Sequence, residues 1–333
     1  MRALVLEEIK GPKGLVVKEV PDPEPGRNEV RVRILASALN HRDLWITIGR
    51  YPGIQLPQIL GSDGVGVVDR VGRGVDRRWL NRVVIINPSL FWGKNPLVQG
   101  EDYQILGLPR PGTLAEYTVV PVENIVPKPR HLKVESASAL PLCGLTAYRA
   151  LFTRGKLQPG EKVLITGIGG GVATVALEFA VAYGAKVWVT SSSQEKIERA
   201  KKMGARGGYL YTEPGYGERI RAELKGVDLI VDGAGGEGLG ELITALAPGG
   251  RIVIYGATRG NPSGLDLRRV FFRQLSILGS TMGNPSEFQK MVRFVTRKKI
   301  EPIVDSVFPL EEGVKAFERM DAGVQFGKIV IKP

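Results

Sequence analysis

The run Glu161-Lys162-Val163-Leu164-Ile165-Thr166-Gly167-Ile168-Gly169-Gly170-Gly171-Val172-Ala173 holds the residues best spaced for chemistry. An apolar stretch, Val163 to Ile165, stops at a glycine cluster, and a helical pattern follows from Thr174 to Tyr183. Strand, tight glycine turn and helix is the arrangement that holds a dinucleotide pyrophosphate. Glycine lets the backbone come close to the phosphates, and free N–H groups at the helix start receive their charge. The spacing fits G-x-x-G-x-x-A, as Gly167, Gly170 and Ala173, rather than G-x-G-x-x-G, because Val172 stands where the third glycine would be. Gly169, Gly171 and Val172 complete the predicted cradle. A glycine-rich turn without a ligand is the competing reading.

The end of the next apolar run, Lys186 to Thr190, is where a ribose-recognising residue belongs. An acid there would bind the 2′-hydroxyl and repel a 2′-phosphate. This chain has Ser191, Ser192 and Ser193, with Lys196 three residues on. Hydroxyls and an ammonium suit a phosphate dianion, so the sequence favours NADP(H) over NAD. The alternative for Ser193 is a helix N-cap.

The elements that must position these residues follow from pattern. With 333 residues, 43% hydrophobic and 24% charged, the chain can form two globular domains. Residues 1–126 read as mostly β, with alternation in Val30–Ala36 and Pro and Gly between strands, as in a small barrel. From residue 127 strands alternate with helices. The strand runs are Val163–Ile165, Lys186–Thr190, Tyr209–Tyr211, Val227–Val231, Arg251–Tyr255 and Leu275–Leu278. That predicts an α/β doubly wound parallel sheet over 127–298. The tail, 299–333, reads as strand, helix, strand returning to the first domain.

Composition excludes several classes. The single cysteine, Cys143, permits no disulfide within the chain and is compatible with a cytoplasmic location. The first eight residues read as a strand rather than a signal peptide, and no apolar run approaches membrane-spanning length. Net charge is +12, but the Lys and Arg are dispersed, so the chain does not read as a nucleic-acid binder.

The chain resembles the medium-chain dehydrogenase/reductase superfamily along nearly its whole length. The residues that carry the resemblance are Asn40-His41-Arg42-Asp43-Leu44, Gly49-Arg50-Tyr51-Pro52, Gly61-Ser62-Asp63-Gly64-Val65-Gly66, Gly112-Thr113-Leu114-Ala115-Glu116-Tyr117, Leu140-Pro141-Leu142-Cys143-Gly144-Leu145-Thr146-Ala147-Tyr148 and Gly327-Lys328-Ile329-Val330. The resemblance implies a GroES-like β-barrel catalytic domain, 1–126 with 299–333, beside a Rossmann domain, 127–298. Zinc members carry Cys, Gly-His-Glu and Cys where this chain has Asn40, Gly61-Ser62-Asp63 and Leu142. The four-Cys structural zinc lobe has no Cys in Leu90–Pro96, and His41 and His131 lack ligand spacing. No metal is therefore expected.

The pattern is similar to the zinc-free quinone oxidoreductase (zeta-crystallin-like) branch, with Trp45 where relatives often have Tyr. That resemblance implies hydride transfer from NADPH to a quinone or an α,β-unsaturated carbonyl. Asn40 and Tyr51 are donor candidates at the acceptor oxygen, Trp45 faces the substrate, and Asp43 holds a loop or the cofactor ribose. The competing readings are a loop-capping Asn40 and a wall-forming Tyr51. Thr146, Gly256, Ala257, Thr258, Ser280, Thr281 and Met282 would surround the nicotinamide. Tyr211 and Lys328 would lie near the adenosine phosphate, with a solvated surface charge as the alternative for Lys328. Rival functions are a metal-free alcohol or carbonyl oxidoreductase and a non-catalytic NADPH-binding protein, crystallin-like or RNA-binding. An edge strand at Leu275–Leu278 predicts a homodimer or homotetramer.

Overall fold

The computed structural model describes residues 1–333. The chain divides into two compact units, Met1–Cys143 with Gly283–Pro333, and Gly144–Met282.

The first unit is built on a seven-stranded sheet. Its order is Ile125–Pro127, Val83–Ile86, Asp63–Val71, Glu29–Ala38, Lys328–Lys332 and Val304–Pro309, with Tyr117–Pro121 also paired to Glu29–Ala38. Alternation in Glu29–Ala38 sends Val30, Val32 and Ile34 into one core with Val68, Val84, Ile86 and Val120. A three-stranded sheet, Leu15–Glu19, Arg2–Leu6 and Gln58–Ile59, borders a second core around Leu4, Leu6, Leu60 and Phe317. The tail joins this unit as expected: Val330 and Ile331 pair with Ala38 and Ser37.

The second unit is a six-stranded, all-parallel sheet. Its order is Gly207–Leu210, Lys186–Ser191, Lys162–Ile165, Val227–Asp232, Leu246–Ile254 and Ser276–Gly279. This is the doubly wound Rossmann order, with its switch point beside the strand that ends in the glycine turn. The strand centres are continuously apolar because helices cover both faces.

Both predicted boundaries move. The helix Val134–Ser138 reads as part of the alternating region, yet it packs on Glu29–Ala38 and Asp63–Val71. Ser136 Oγ donates to Glu301 at 2.8 Å, and Ser89 Oγ donates to the Gly283 carbonyl at 2.7 Å. These contacts move residues 127–143 and 283–298 into the barrel unit. No helix is long and apolar enough to cross a membrane.

Candidate functional site

In the sheet unit the strand Lys162–Ile165 ends at Thr166, and the chain turns through Gly167 (φ +65°) and Gly169 (φ +112°). These left-handed angles are what glycine supplies. Gly170 is the N-cap of the helix Gly171–Tyr183, so Gly171, Val172 and Ala173 carry first-turn N–H groups. The turn is fixed on the neighbouring strand: Gly167 N–H donates to Thr190 Oγ1 at 3.3 Å, and Ile168 N–H to the Thr190 carbonyl at 2.9 Å. A Cβ added at Gly167 would meet nothing within 4 Å. The turn therefore has open space in front of it.

Asp232 braces the same end of the sheet. It is buried, accepts Thr166 Oγ1–H at 2.6 Å, and accepts the N–H groups of Ala234 and Gly235 at 3.2 and 2.9 Å. The loop it closes packs against Gly256-Ala257-Thr258: Thr258 Oγ1 donates to the Gly233 carbonyl at 3.3 Å, and Arg259 N–H to the Ala234 carbonyl at 2.8 Å.

The serine run is more structural than its composition suggests. Ser191 is only 3% exposed and its Oγ accepts the Ser193 N–H at 3.1 Å. Ser193 Oγ caps the helix Gln194–Lys202 by accepting the Lys196 N–H at 3.3 Å. Only Ser192 is exposed. The expectation of a three-serine phosphate pocket thus contracts to Ser192 with Lys196, because alternation turns Ser191 inward. A residue with no local signal lies close by through Tyr211. The guanidinium of Arg259 lies 5.0 Å over the Tyr211 ring, and the Tyr211 N–H bonds to the Ser191 carbonyl at 3.0 Å. Arg259 sits in a polar loop with no sequence signal of its partner.

Thr146 and Met282 come together, with Thr146 Oγ1 3.8 Å from Met282 Sδ. Met282 holds a positive φ of +39°. Ser280 Oγ is buried without a hydrogen-bond partner in the protein. An unmet hydroxyl, a glycine turn opening onto space and a helix N-terminus are features that fit a bound dinucleotide. The residues present in this unit therefore suit one.

In the barrel unit the helix His41–Thr47 begins directly after the strand Glu29–Ala38. Asp43, fully buried, accepts the Asn40 N–H at 2.8 Å and the Gly61 N–H at 3.3 Å. Burial raises its carboxyl pKa, against the opposing pull of Arg42 and the Asn40 N–H. It ties the helix start to the Gly61 loop. It has no surface to offer a ribose or a substrate, which removes it from the catalytic candidates.

Asn40 is also committed. Its Nδ2 donates to Asp63 Oδ2 at 3.0 Å, and its Oδ1 accepts Lys328 Nζ at 2.6 Å. The donor role expected for its amide fails because the amide is already engaged. Lys328 itself is 3% exposed and pairs with Asp63 Oδ2 at 2.9 Å. It is neither a surface charge nor a ligand for an adenosine phosphate. Strand pairing of Lys328–Lys332 with Glu29–Ala38 carries it into the barrel interior. Asp63 Oδ1 takes a further bond, from the Leu142 N–H at 2.7 Å. Cys143 Sγ lies 3.6 Å from Asn40 Oδ1.

Trp45 and Tyr51 are half-buried. Trp45 meets His41 edge-on, ring centroids 5.0 Å apart. Tyr51 packs on the core around Leu4 and Leu6, and the guanidinium of Arg42 lies 4.9 Å over its ring. Arg42 also donates to Ser62 Oγ at 2.7 Å. Arg42 is another residue that sequence reasoning passed over, although it lies inside a motif already singled out.

The donor set in this region does not suit zinc. The three positions that bind metal in zinc relatives are an amide, a hydroxyl and an alkyl chain: Asn40, Ser62 and Leu142. Asp63 is neutralised by the ammonium of Lys328. No three His, Cys, Asp or Glu side chains gather as a metal site would require.

A GroES-like barrel unit and a Rossmann unit in one chain define a dehydrogenase-type oxidoreductase. The family described as "Alcohol dehydrogenase GroES-like domain" matches residues 26–130, and that described as "Zinc-binding dehydrogenase" matches residues 171–297. A zinc-type alcohol dehydrogenase-like protein of Leptosphaeria maculans is 36% identical, over 96% of this chain and 94% of that protein. An acryloyl-coenzyme A reductase of Sulfurisphaera tokodaii is 30% identical over the whole of both chains. A solved NAD-dependent alcohol dehydrogenase superposes with a TM-score of 0.95 at 42% identity, covering 100% of both chains. The chain belongs to the medium-chain dehydrogenase/reductase superfamily.

Proposed function

We propose that this chain is an NADPH-dependent, zinc-independent reductase of conjugated carbonyls. Its acceptor would be a quinone or an α,β-unsaturated carbonyl, enoyl thioesters included, as the resemblance to the zinc-free quinone oxidoreductase branch implies. The observation that carries the proposal is the replacement of the metal ligands by Asn40, Ser62 and Leu142, with Asp63 neutralised by Lys328. Polarisation of the acceptor then falls to hydrogen bonds, which suit an oxygen whose charge is spread by conjugation.

When bound, the cofactor supplies the hydride. The turn Gly167–Gly171 and the first-turn N–H groups would hold its pyrophosphate. Ser192, Lys196, Tyr211 and Arg259 would recognise the adenosine phosphate, with Arg259 adding a second cation beside the predicted one. Thr146, Gly256, Ala257, Thr258, Ser280, Thr281 and Met282 would take the nicotinamide, Ser280 Oγ offering its unmet hydroxyl. Tyr51 and Trp45 would form walls of the acceptor site.

The test is titration with NADPH and NADH, followed by rates with an enone, a quinone, crotonyl-coenzyme A and a simple ketone, before and after chelator treatment. Tight NADPH binding and chelator-resistant enone or quinone reduction are expected. Turnover of simple ketones or alcohols alone would favour the second reading, an alcohol or carbonyl oxidoreductase. That reading draws support from the 42% identical alcohol dehydrogenase structure.

A homodimer belongs to the same proposal. The edge strand Ser276–Gly279 leaves Ile277 exposed, beside a helix with Phe271 and Phe272 at 67% and 84% exposure. Exposed aromatics next to an unpaired strand edge suit a second copy of the chain. Sedimentation of the wild type and of Phe272→Asp, expected as dimer and monomer, checks it.

A further inference from the structure

The barrel unit holds an open pocket of about 630 Å³ that shares no residue with the Asn40, Asp63 and Lys328 cluster. Its size falls within the ~300–1,000 Å³ of small-molecule sites. The short strands Ser89–Leu90 and Gln104–Ile105 pair with each other and contribute to its wall. Phe91 leaves the first of them at φ +54°, the left-handed region that a residue with a Cβ avoids. Backbone strain of this kind persists where the surroundings fix it, and it gathers at ligand clamps. Here the half-buried Phe91 lines the pocket beside buried Trp92 and Pro285. The polar part of the wall has one sign. Asp102 and Glu123 are exposed there, and neither carboxylate has a cation or hydrogen-bond partner in the protein. No lysine or arginine lines the pocket, although the chain has 46 of them and a net charge of +12. Arg110, whose guanidinium lies 5.9 Å from the Phe91 ring, is already paired with Glu29. Gln104 also lines the pocket, and its buried Oε1 has no donor. That carbonyl dipole adds to the negative field without needing contact. Unpaired carboxylates beside an aromatic wall are complementary to a cation with a hydrocarbon stem.

We infer that this pocket binds an aliphatic diamine or polyamine, with one ammonium at Asp102, another at Glu123, and the alkyl stem along Phe91 and Pro285. Two carboxylates without cations ask for two positive charges, and an ammonium donates to carboxylates through charge-assisted hydrogen bonds. The methylenes between the charges bury their surface on the apolar wall, and the Phe91 ring attracts a cation to its face. A concave site of this size suits a small molecule better than the face of another protein. A metal ion is a poorer occupant, because no three His, Cys, Asp or Glu side chains gather to hold one. The site lies wholly within the barrel unit, so it stands apart from the oxidoreductase function proposed above.

The experiment titrates putrescine and hexamethylenediamine calorimetrically into the full chain, with n-butylamine as the control that carries one charge. Wild type should bind at least one of the diamines, and n-butylamine more weakly. Asp102→Asn and Glu123→Gln should each weaken the diamine about fivefold, the most that an exposed ion pair commonly contributes. The double variant should show no heat of binding. Both side chains are exposed, so the variants should fold as wild type does, which circular dichroism checks. Glu101→Gln removes an exposed carboxylate beside the pocket but outside its wall, and should leave the affinity unchanged. Failure of wild type to bind either diamine at millimolar concentration overturns the inference. So does undiminished binding by the double variant, or by both single variants if the double variant does not fold. An affinity for n-butylamine equal to that for the diamines, or an equal loss in Glu101→Gln, overturns it as well, since the heat would then report attraction to surface charge in general.

Discussion

The two units carry side-chain and backbone clusters built by opposite means. The glycine turn of the sheet unit is made of backbone. One turn, Gly167 to Gly171, sets its shape through positive φ angles and a helix N-terminus. The buried cluster of the barrel unit is made of side chains from distant points in the sequence. Asn40 and Lys328 lie 288 residues apart and share a hydrogen bond. A backbone site announces itself locally, because glycine spacing is dictated by the dihedrals required. A side-chain site becomes visible only when the sheet has assembled. The contrast also predicts different consequences of mutation. Side-chain changes in the barrel-unit cluster should act on stability first, and backbone changes at the glycine turn on binding first.

The largest expected effect is at Lys328. Lys328→Met leaves the buried carboxylate of Asp63 without its cation. Breaking a buried pair from one side costs about 3–5 kcal/mol. Urea unfolding should show a loss of that order, and Lys328→Met combined with Asp63→Asn should recover most of it, since no charge is then stranded. A single variant as stable as wild type would break the contrast, by showing that the cluster does not hold the barrel together.

At the glycine turn the effect should move from stability to affinity. In Gly167→Ala the left-handed φ of +65° would cost about 1–2 kcal/mol. The new methyl meets no protein atom, so it projects into the space in front of the turn. NADPH affinity is expected to fall about tenfold or more, equivalent to about 1.4 kcal/mol, with the fold intact by circular dichroism. Unchanged affinity would mean that the turn does not cradle a pyrophosphate.

The sequence made the sheet unit readable almost strand by strand, because continuous apolar runs and glycine turns are local signals. It also showed that the metal ligands had been replaced. It did not show what filled the space. Lys328 followed by Ile329-Val330-Ile331 reads as an exposed charge at a strand start, until pairing with Glu29–Ala38 turns it inward. Ser191 reads as a phosphate ligand in a serine run, until alternation buries it. Arg42 stands in a motif quoted for its neighbours, and nothing local reveals that one of its nitrogens lacks an acceptor. In each case the missing information is the direction of a side chain set by a long-range contact.

Cys143 offers the smallest effect and the sharpest check on how dry the barrel-unit cluster is. Burial pushes its thiol up to about 11 from 9.0, with Lys328 opposing only in part. For Lys328, burial alone would lower the pKa, but the Asp63 carboxylate and the thiol outweigh it and hold it above 10.5. Both groups bind their protons more tightly in the folded chain than in the unfolded one. Their contribution to stability is therefore complete below the unfolded values and is lost as pH rises through the folded ones. Between neutrality and pH 9 these two groups should leave stability unchanged, and above it they should make it decline. Cys143→Ala should cost about 1 kcal/mol at pH 7, as single substitutions commonly do, and should make the alkaline decline shallower. The native thiol should react with a disulfide reagent at pH 8 only as fast as the chain opens. Rapid stoichiometric labelling of the folded protein would show that water reaches Asn40, Asp63 and Lys328, and the cluster would then be a wet pocket rather than a sealed brace.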